Sequence, residues 1–245
     1  MGYRVFGEYQ DYYDDHGDAL RMQKTIQRFA GGFNGRETPW YPQSTDFTCG
    51  PSALMMAMAS LDATITPDQP QELDIWREAT TIFMTSGHGG CHPMGLALAA
   101  AHRGFQVELV LNSRDVLFIE GVRSLHKKNV LEVVHRQFAE RCEQQPQVTM
   151  SYTEVEQQQI IDWLDRGYAV VVLISTYRLD GKKSPHWVTV TGYDQHCIYF
   201  HDPDPDEHHQ LAIDCQHIPI AREDFAVMSA FGADRLRTAL ALKPR

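Results

Sequence analysis

Apolar residues recur with helical spacing through much of the first two thirds of the chain and with strand spacing in the last third. "PSALMMAMASL" (51–61) predicts a helix with Pro51 near its first turn, where a missing N–H costs nothing. "QELDIWREATTIF" (71–83) places Leu73, Trp76, Ala79, Thr80 and Phe83 on one helical face. A Gly/His-rich loop, "TSGHGGCHP" (85–93), leads into the helix "MGLALAAAHRG" (94–104). "FQVELVLN" (105–112) alternates apolar and polar residues and reads as a strand. "LHKKNVLEVVHRQFAERC" (125–142) is helical, as is "TEVEQQQIIDWLDRG" (153–167), opened by the capping box Thr153-x-x-Glu156 and closed by Gly167.

Strands then take over. "YAVVVLIST" (168–176) is a nearly continuous β-branched run, the signature of a central strand buried on both faces. "HWVTVTGY" (186–193) and "CIYFHD" (197–202) follow across a short polar connection, and "LRTALALK" (236–243) returns as a final strand. Helices first and an antiparallel sheet later indicate an α+β fold. Residues 1–37 read as an N-terminal extension, with one helical stretch, "DALRMQKTIQRF" (18–29), ahead of a main domain over 38–245.

Composition narrows the function classes. The 245 residues suffice for one large domain or two small ones, and 43% hydrophobic with 22% charged residues is an ordinary soluble balance. A net charge of −10 argues against a nucleic-acid surface, and "HKK" (126–128) and "GKK" (181–183) read as solvated charge. The first twenty residues lack the apolar segment of a secretory signal, and no apolar run approaches the ~20 residues of a membrane span. Five scattered cysteines argue for free thiols in a reducing cytoplasm rather than a disulfide framework.

Within that picture "QSTDFTCGPSALMMAMASL" (43–61) stands out, because it sets a lone thiol at the mouth of a helix. A thiol attacks well only as thiolate, and a helix N-terminus stabilises that anion with its N–H groups and dipole. Gly50 would let the backbone approach a substrate carbonyl, the Cys49 N–H would donate to an oxyanion, and Gln43 folded back would supply a second donor. A cysteine nucleophile needs a histidine base and a group to orient it. If the hairpin turns near Asp194–Gln195, cross-strand partners sum to roughly 389, which sets His186 within one position of Asp202. Taken singly, a buried cysteine is more often an inert small hydrophobe, and a strand histidine more often structural. Their joint order, Gln43, Cys49, His186 and Asp202, reverses that weighting.

"YPQSTDFTCGPSAL", "HWVTVTGYD" and "IYFHDPDP" resemble the papain-like cysteine peptidases of the bacteriocin-processing type, cysteine peptidase family thirty-nine, which cleave double-glycine leader peptides. "GCHPMGLALAAAHRGFQVELV" (90–110) resembles that family's second helix and following strand. The resemblance implies a papain-like fold, with an N-terminal helical half carrying the nucleophile and a C-terminal antiparallel sheet carrying His and Asp. It implies Gln43 as the oxyanion-hole side chain, Cys49 as nucleophile, His186 as base and Asp202 as its orienter. The familiar leader peptidases are fused to transporter and ATPase domains, and this chain has neither a membrane span nor a phosphate-binding glycine loop. Export coupling and double-glycine specificity are therefore not carried over.

"HGGCH" (88–92) offers two imidazoles and a thiol, but no second ligand pair accompanies it, so a groove-lining role is preferred over zinc. His88, Gly89 and His92 are then substrate-contacting candidates, with Gly50 and Trp187. Ser86, Ser175 and Ser184 lack a nucleophile-elbow pattern, and "DEHHQ" (206–210) reads as an exposed loop. The expectation is a cysteine peptidase or amidohydrolase acting on a peptide or protein without cofactor, metal, nucleic acid or membrane. An acyl or peptidyl transferase using the same acyl-enzyme and a non-catalytic peptide-binding module are the alternatives.

Overall fold

The computed structural model describes residues 3–9, 17, 19–24, 33–81, 83–84, 87–119, 122–177, 184–205 and 211–245, which fall into two units, Met1–Phe33 and Asn34–Arg245. In the first unit β1 (Tyr3–Tyr9) pairs antiparallel with β2 (Ala19–Lys24). The stretch expected as a helix over 18–29 is thus a strand where it is described, because pairing to β1 overrides a weak local preference. Residues 25–29 of that stretch lie outside the described set, as do Ser86, Lys182, Lys183, the DEHHQ segment and the His88 side chain.

The second unit runs β3 (Asn34–Gly35), α1 (Cys49–Leu61), α2 (Gln69–Ala79), β4 (Phe83–Met84), β5 (Gly87–His88), α3 (Pro93–His102) and β6 (Gln106–Leu111). It continues through α4 (Leu125–Gln144), β7 (Val148–Tyr152), α5 (Gln157–Asp165), β8 (Ala169–Ser175), β9 (Pro185–Tyr193) and β10 (Cys197–His201). β11 (Ile218–Ala221), α6 (Arg222–Met228) and β12 (Thr238–Lys243) complete it. Eight strands form one sheet in the order β11-β10-β9-β8-β12-β6-β7, with β3 on β9. The class is α+β, as expected. The sheet is antiparallel around β9 and β10, but β7 runs parallel to β6, with the 20-residue α4 as the crossover such a pair needs.

β8 explains the layering. Ala169, Val171 and Leu173 belong to one apolar core with α1 and α3, while Val170, Val172 and Ile174 belong to a second with Trp163 of α5 and Phe225 of α6. Both faces are covered, so the strand carries no polar alternation. Against the first face lies α1, buried from Cys49 through Ala59, and Thr189 Oγ1 of β9 donates to its Ala53 carbonyl at 2.7 Å.

Two local expectations are corrected. α5 starts at Gln157 with Glu156 as N-cap and no side-chain cap bond, so the Thr153–Glu156 capping box is absent. α2 is capped by Asp68, which accepts from the Gln71 N–H at 2.9 Å, and stops at Ala79, because Thr80 bridges to Cys91. Its buried stripe is Glu72, Ile75, Trp76 and Ala79 rather than one reaching Phe83.

α3 crosses the end of α2 at Gly95, where a Cβ would sit 2.6 Å from the Ala79 Cα and 3.0 Å from Phe138. Gly95→Ala is expected to destabilise the protein by about 1–3 kcal/mol through overpacking, read from urea unfolding midpoints.

Candidate active site

Cys49 is the first residue of α1, and the helix has no side-chain N-cap bond and no acidic residue in its first turn. Thr48 at the cap instead meets Thr45 through its hydroxyl, at 2.9 Å to Oγ1 and 3.1 Å to the carbonyl. The positive end of the helix is therefore neither capped nor screened by a carboxylate on its own first turn, the condition that favours an anion there. Gly50 is buried, and a Cβ on it would come within 3.0 Å of Cys91 Cβ and 3.1 Å of Trp187. Its smallness serves close packing of α1 on β9 and the Cys91 segment, a reason different from the substrate approach expected.

His186 lies at the start of β9, 6% exposed, and Asp202 directly follows β10, 7% exposed. The hairpin register runs Ile198 opposite Tyr193, then shifts so that Phe200 faces Val190, one or two residues from the pairing expected. The bulge still delivers the contact: His186 Nε2 and Asp202 Oδ1 are 2.6 Å apart. The same carboxylate oxygen accepts the Asp204 N–H at 2.9 Å, and the Asp202 backbone N–H donates to the Cys215 carbonyl at 2.9 Å. Burial alone pulls the His186 imidazole down. The Asp202 carboxylate, in charge and hydrogen bond, and then the hydrogen-bonded Cys49 sulfur push the other way, and the ring ends well above its usual value. Histidine is thus flanked by carboxylate and thiol, with Nε2 committed to Asp202 and Nδ1 left for the sulfur.

Gln43 sits in the segment that enters α1. Its backbone N–H donates to the Pro203 carbonyl at 2.7 Å, and Trp40 Nε1 donates to the Asp202 carbonyl at 2.7 Å. Among the described residues its side-chain Oε1 is buried without a hydrogen-bond partner. On the other side the segment is clamped by Glu72, which accepts from Tyr41 Oη at 2.9 Å, the Ser44 N–H at 2.8 Å and Ser52 Oγ at 3.3 Å. Ser52 is one turn beyond Cys49, so a fully buried carboxylate ties the Gln43 segment to the helix that carries the thiol. Burial, then the Glu72 carboxylate, push the Tyr41 phenol up. Glu72 was not expected from sequence. Its signal was a charge heading the apolar stripe Ile75, Trp76 and Ala79.

The remaining candidates divide. Trp187 is 2% exposed, its Nε1 donates to the Cys91 carbonyl at 3.3 Å, and it walls a cavity of about 110 Å³ beside Cys49. The Gly89 carbonyl accepts from Trp76 Nε1 at 3.0 Å and Thr80 Oγ1 at 3.1 Å, a structural role. His92 is corrected: 1% exposed, it caps α3 by accepting the Met94 N–H on Nδ1 at 3.1 Å and meets His135 Nδ1 through Nε2 at 3.1 Å. Burial and His135 pull it down to about 3, so it is a neutral strut and faces no substrate. Cys91 lies beside the nucleophile candidate; burial, then the Cys49 charge, raise it well above an ordinary thiol. Among the described residues no group of three or more His, Cys, Asp and Glu is placed to hold a metal ion.

A family model described as the Peptidase_C39 like family matches residues 38–243. Among solved structures, the peptidase domain of Streptococcus ComA, described as a bifunctional ABC transporter in a quorum-sensing pathway, aligns at 15% identity and a TM-score of 0.46. The alignment covers 85% of this chain and 100% of that one. A C39-like peptidase from Bacillus anthracis aligns at 15% identity and 0.48, over 85% and 96%. A double-glycine motif protease from an AMS/PCAT transporter, in complex with its leader peptide, aligns at 14% and 0.42, over 86% and 95%. No curated protein matches the chain, and among the described residues no helix is long and apolar enough to cross a membrane.

Two expectations follow from the geometry. With its raised folded value, His186 contributes stability that is fully present below about pH 6.5, its unfolded value, and is lost as pH rises through the folded one. The melting-temperature difference between the wild type and Asp202→Asn should therefore be largest near pH 6 and shrink toward pH 10; a difference that grows with pH would contradict this assignment. Glu72→Leu strips the acceptor from three donors and should cost about 1–3 kcal/mol in urea unfolding, with Glu72→Gln costing less because its amide oxygen still accepts.

Proposed function

The chain belongs to the Peptidase_C39 like family, and from that premise we propose that it is a cysteine peptidase with Cys49 as nucleophile, His186 as acid–base, Asp202 as its orienter and Gln43 in the oxyanion hole. In this reading the peptidase domain spans residues 38–245 and 1–37 is an extension, the end of which, Asn34–Gly35, pairs with β9. One observation carries the reading: a buried histidine held at 2.6 Å by a buried carboxylate, with the sulfur at the first position of α1 on its other side. None of the five cysteines is joined in a disulfide, in keeping with a reducing compartment such as the cytoplasm.

The chemistry follows from the placement. The raised imidazole of His186 and the place of the sulfur at the first position of α1 both suit attack by the sulfur with the ring as its proton carrier. The Cys49 sulfur attacks the carbonyl carbon of a substrate peptide bond, and the negative charge moves to oxygen. There the Cys49 N–H and the Gln43 side-chain Nε2–H would donate, Gln43 being held in the segment that enters α1. His186 gives its proton to the leaving nitrogen, the C–N bond breaks, and a thioester remains on Cys49. The now neutral ring takes a proton from water, which attacks the thioester and releases the acid and the thiolate.

Peptide and isopeptide libraries should be cleaved by the wild type. Cys49→Ala should lower kcat on the order of 10⁴-fold or more, and Gln43→Ala on the order of 10²–10³-fold. Turnover that survives Cys49→Ala would overturn the assignment. Peptide binding without turnover by the intact protein would favour a binding module, and amide product formed with added amines would mark acyl transfer.

A further inference from the structure

We propose that the cavity beside Cys49 is the acyl-side specificity pocket of this peptidase, shaped for a branched aliphatic side chain, so that the preferred substrates are not double-glycine peptides. The inference rests on the peptidase reading above and adds the substrate class. The cavity has a volume of about 110 Å³ and is walled by Cys49, Thr81, Gly90, Cys91, Phe118 and Trp187, with Pro185 at its side; among the described residues no charged side chain lines it. The thiol is itself part of the wall, so the group joined to it in the thioester is the one that reaches the cavity. A dry apolar cavity of about 150 Å³ takes up benzene, so this smaller one suits a compact branched aliphatic group. That fits valine or leucine, leaves glycine's site unfilled, and is too small for an indole.

Three features show that the space is built rather than incidental. Trp187 is fixed by its bond to the Cys91 carbonyl, so the back wall is preformed. Gly90 has no internal reason to be glycine: its φ is outside the left-handed region, and an added Cβ would meet nothing within 4 Å. Gly90 is exposed at the edge of the cavity, and a side chain added there would enter the open space beside it. Phe118 is the reverse case. It holds φ at +62°, a left-handed conformation that a bulky residue adopts only under strain, and its ring is braced by Phe231 at 6.2 Å and His92 at 6.5 Å between centroids. The backbone strain sets an apolar ring on the cavity wall.

The test uses the full chain and two series of peptidyl chloromethyl ketones, acetyl-Xaa-Gly and acetyl-Gly-Xaa, with Xaa as Gly, Ala, Val, Leu, Phe or Lys. The Cys49 sulfur displaces chloride and forms a stable C–S bond, read by mass spectrometry at Cys49. Each rate is divided by the same protein's rate with iodoacetamide, so changes in thiol reactivity cancel. Val or Leu is expected to exceed Gly on the order of tenfold or more in one series. Gly90→Val should move the optimum to Gly or Ala, and Phe118→Ala should admit Phe. Equal rates for all side chains, a Gly or Lys optimum, or a Leu preference untouched by both variants would overturn the pocket while leaving the nucleophile intact. Failure of Cys49 to react even with iodoacetamide would instead remove the peptidase reading, and the pocket with it.

Discussion

The first turn of α1 approaches β9 and the Cys91 segment so closely that a Cβ at position 50 would stand 3.0–3.3 Å from Cys91, Trp187 and Leu96, and this contact sets where the sulfur of Cys49 lies relative to His186. Behind it, Thr189 anchors Ala53, and an unbroken buried run from Cys49 to Ala59 packs into the core shared with β8 and β12. A helix buried end to end has little freedom to slide, because every displacement opens voids or forces overlaps. The thiol therefore occupies a position defined by the core rather than by the loop before it.

The loop is held by a different kind of force. Gln43 is bracketed by Trp40 and its own N–H, which reach the 202–203 backbone, and by Tyr41 and Ser44, which reach Glu72. These are hydrogen bonds with buried partners, where a lost acceptor costs the full desolvation of the orphaned donor. Apolar packing fixes the nucleophile candidate and directional polar contacts fix the oxyanion-hole candidate. Glu72 joins the two through Ser52.

Three buried histidines show how environment assigns roles to one side chain. His186 has a carboxylate and a thiol for neighbours and is raised. His92 has only burial and a second imidazole, and falls to about 3. His201 accepts the His217 N–H on Nδ1 at 2.9 Å and meets the Thr38 carbonyl through Nε2 at 2.9 Å, and burial takes it down to about 4. Both hydrogen bonds require a neutral ring protonated at Nε2, so His201 pins the segment leading to Gln43 without titrating near neutral pH.

Local pattern is what the amino-acid sequence by itself determined. The apolar run before Leu61, the place of Cys49 at the mouth of that helix, the doubly covered β8 and the hairpin that brings His186 toward Asp202 all follow from spacing and residue type, because neighbouring residues create them. Only the tertiary structure decided the rest. It paired residues 19–24 with β1 as a strand, set β7 parallel to β6, and packed Gly50 against Cys91 and Trp187. It buried His92 as a cap and brought Glu72, Phe118 and Trp40 to the site from segments 20 to 162 residues away in contact or cavity wall. Sequence spacing carries the periodicity of an element but not the identity of what packs against it; burial, and with it protonation, strain and pocket shape, exists only once distant segments meet.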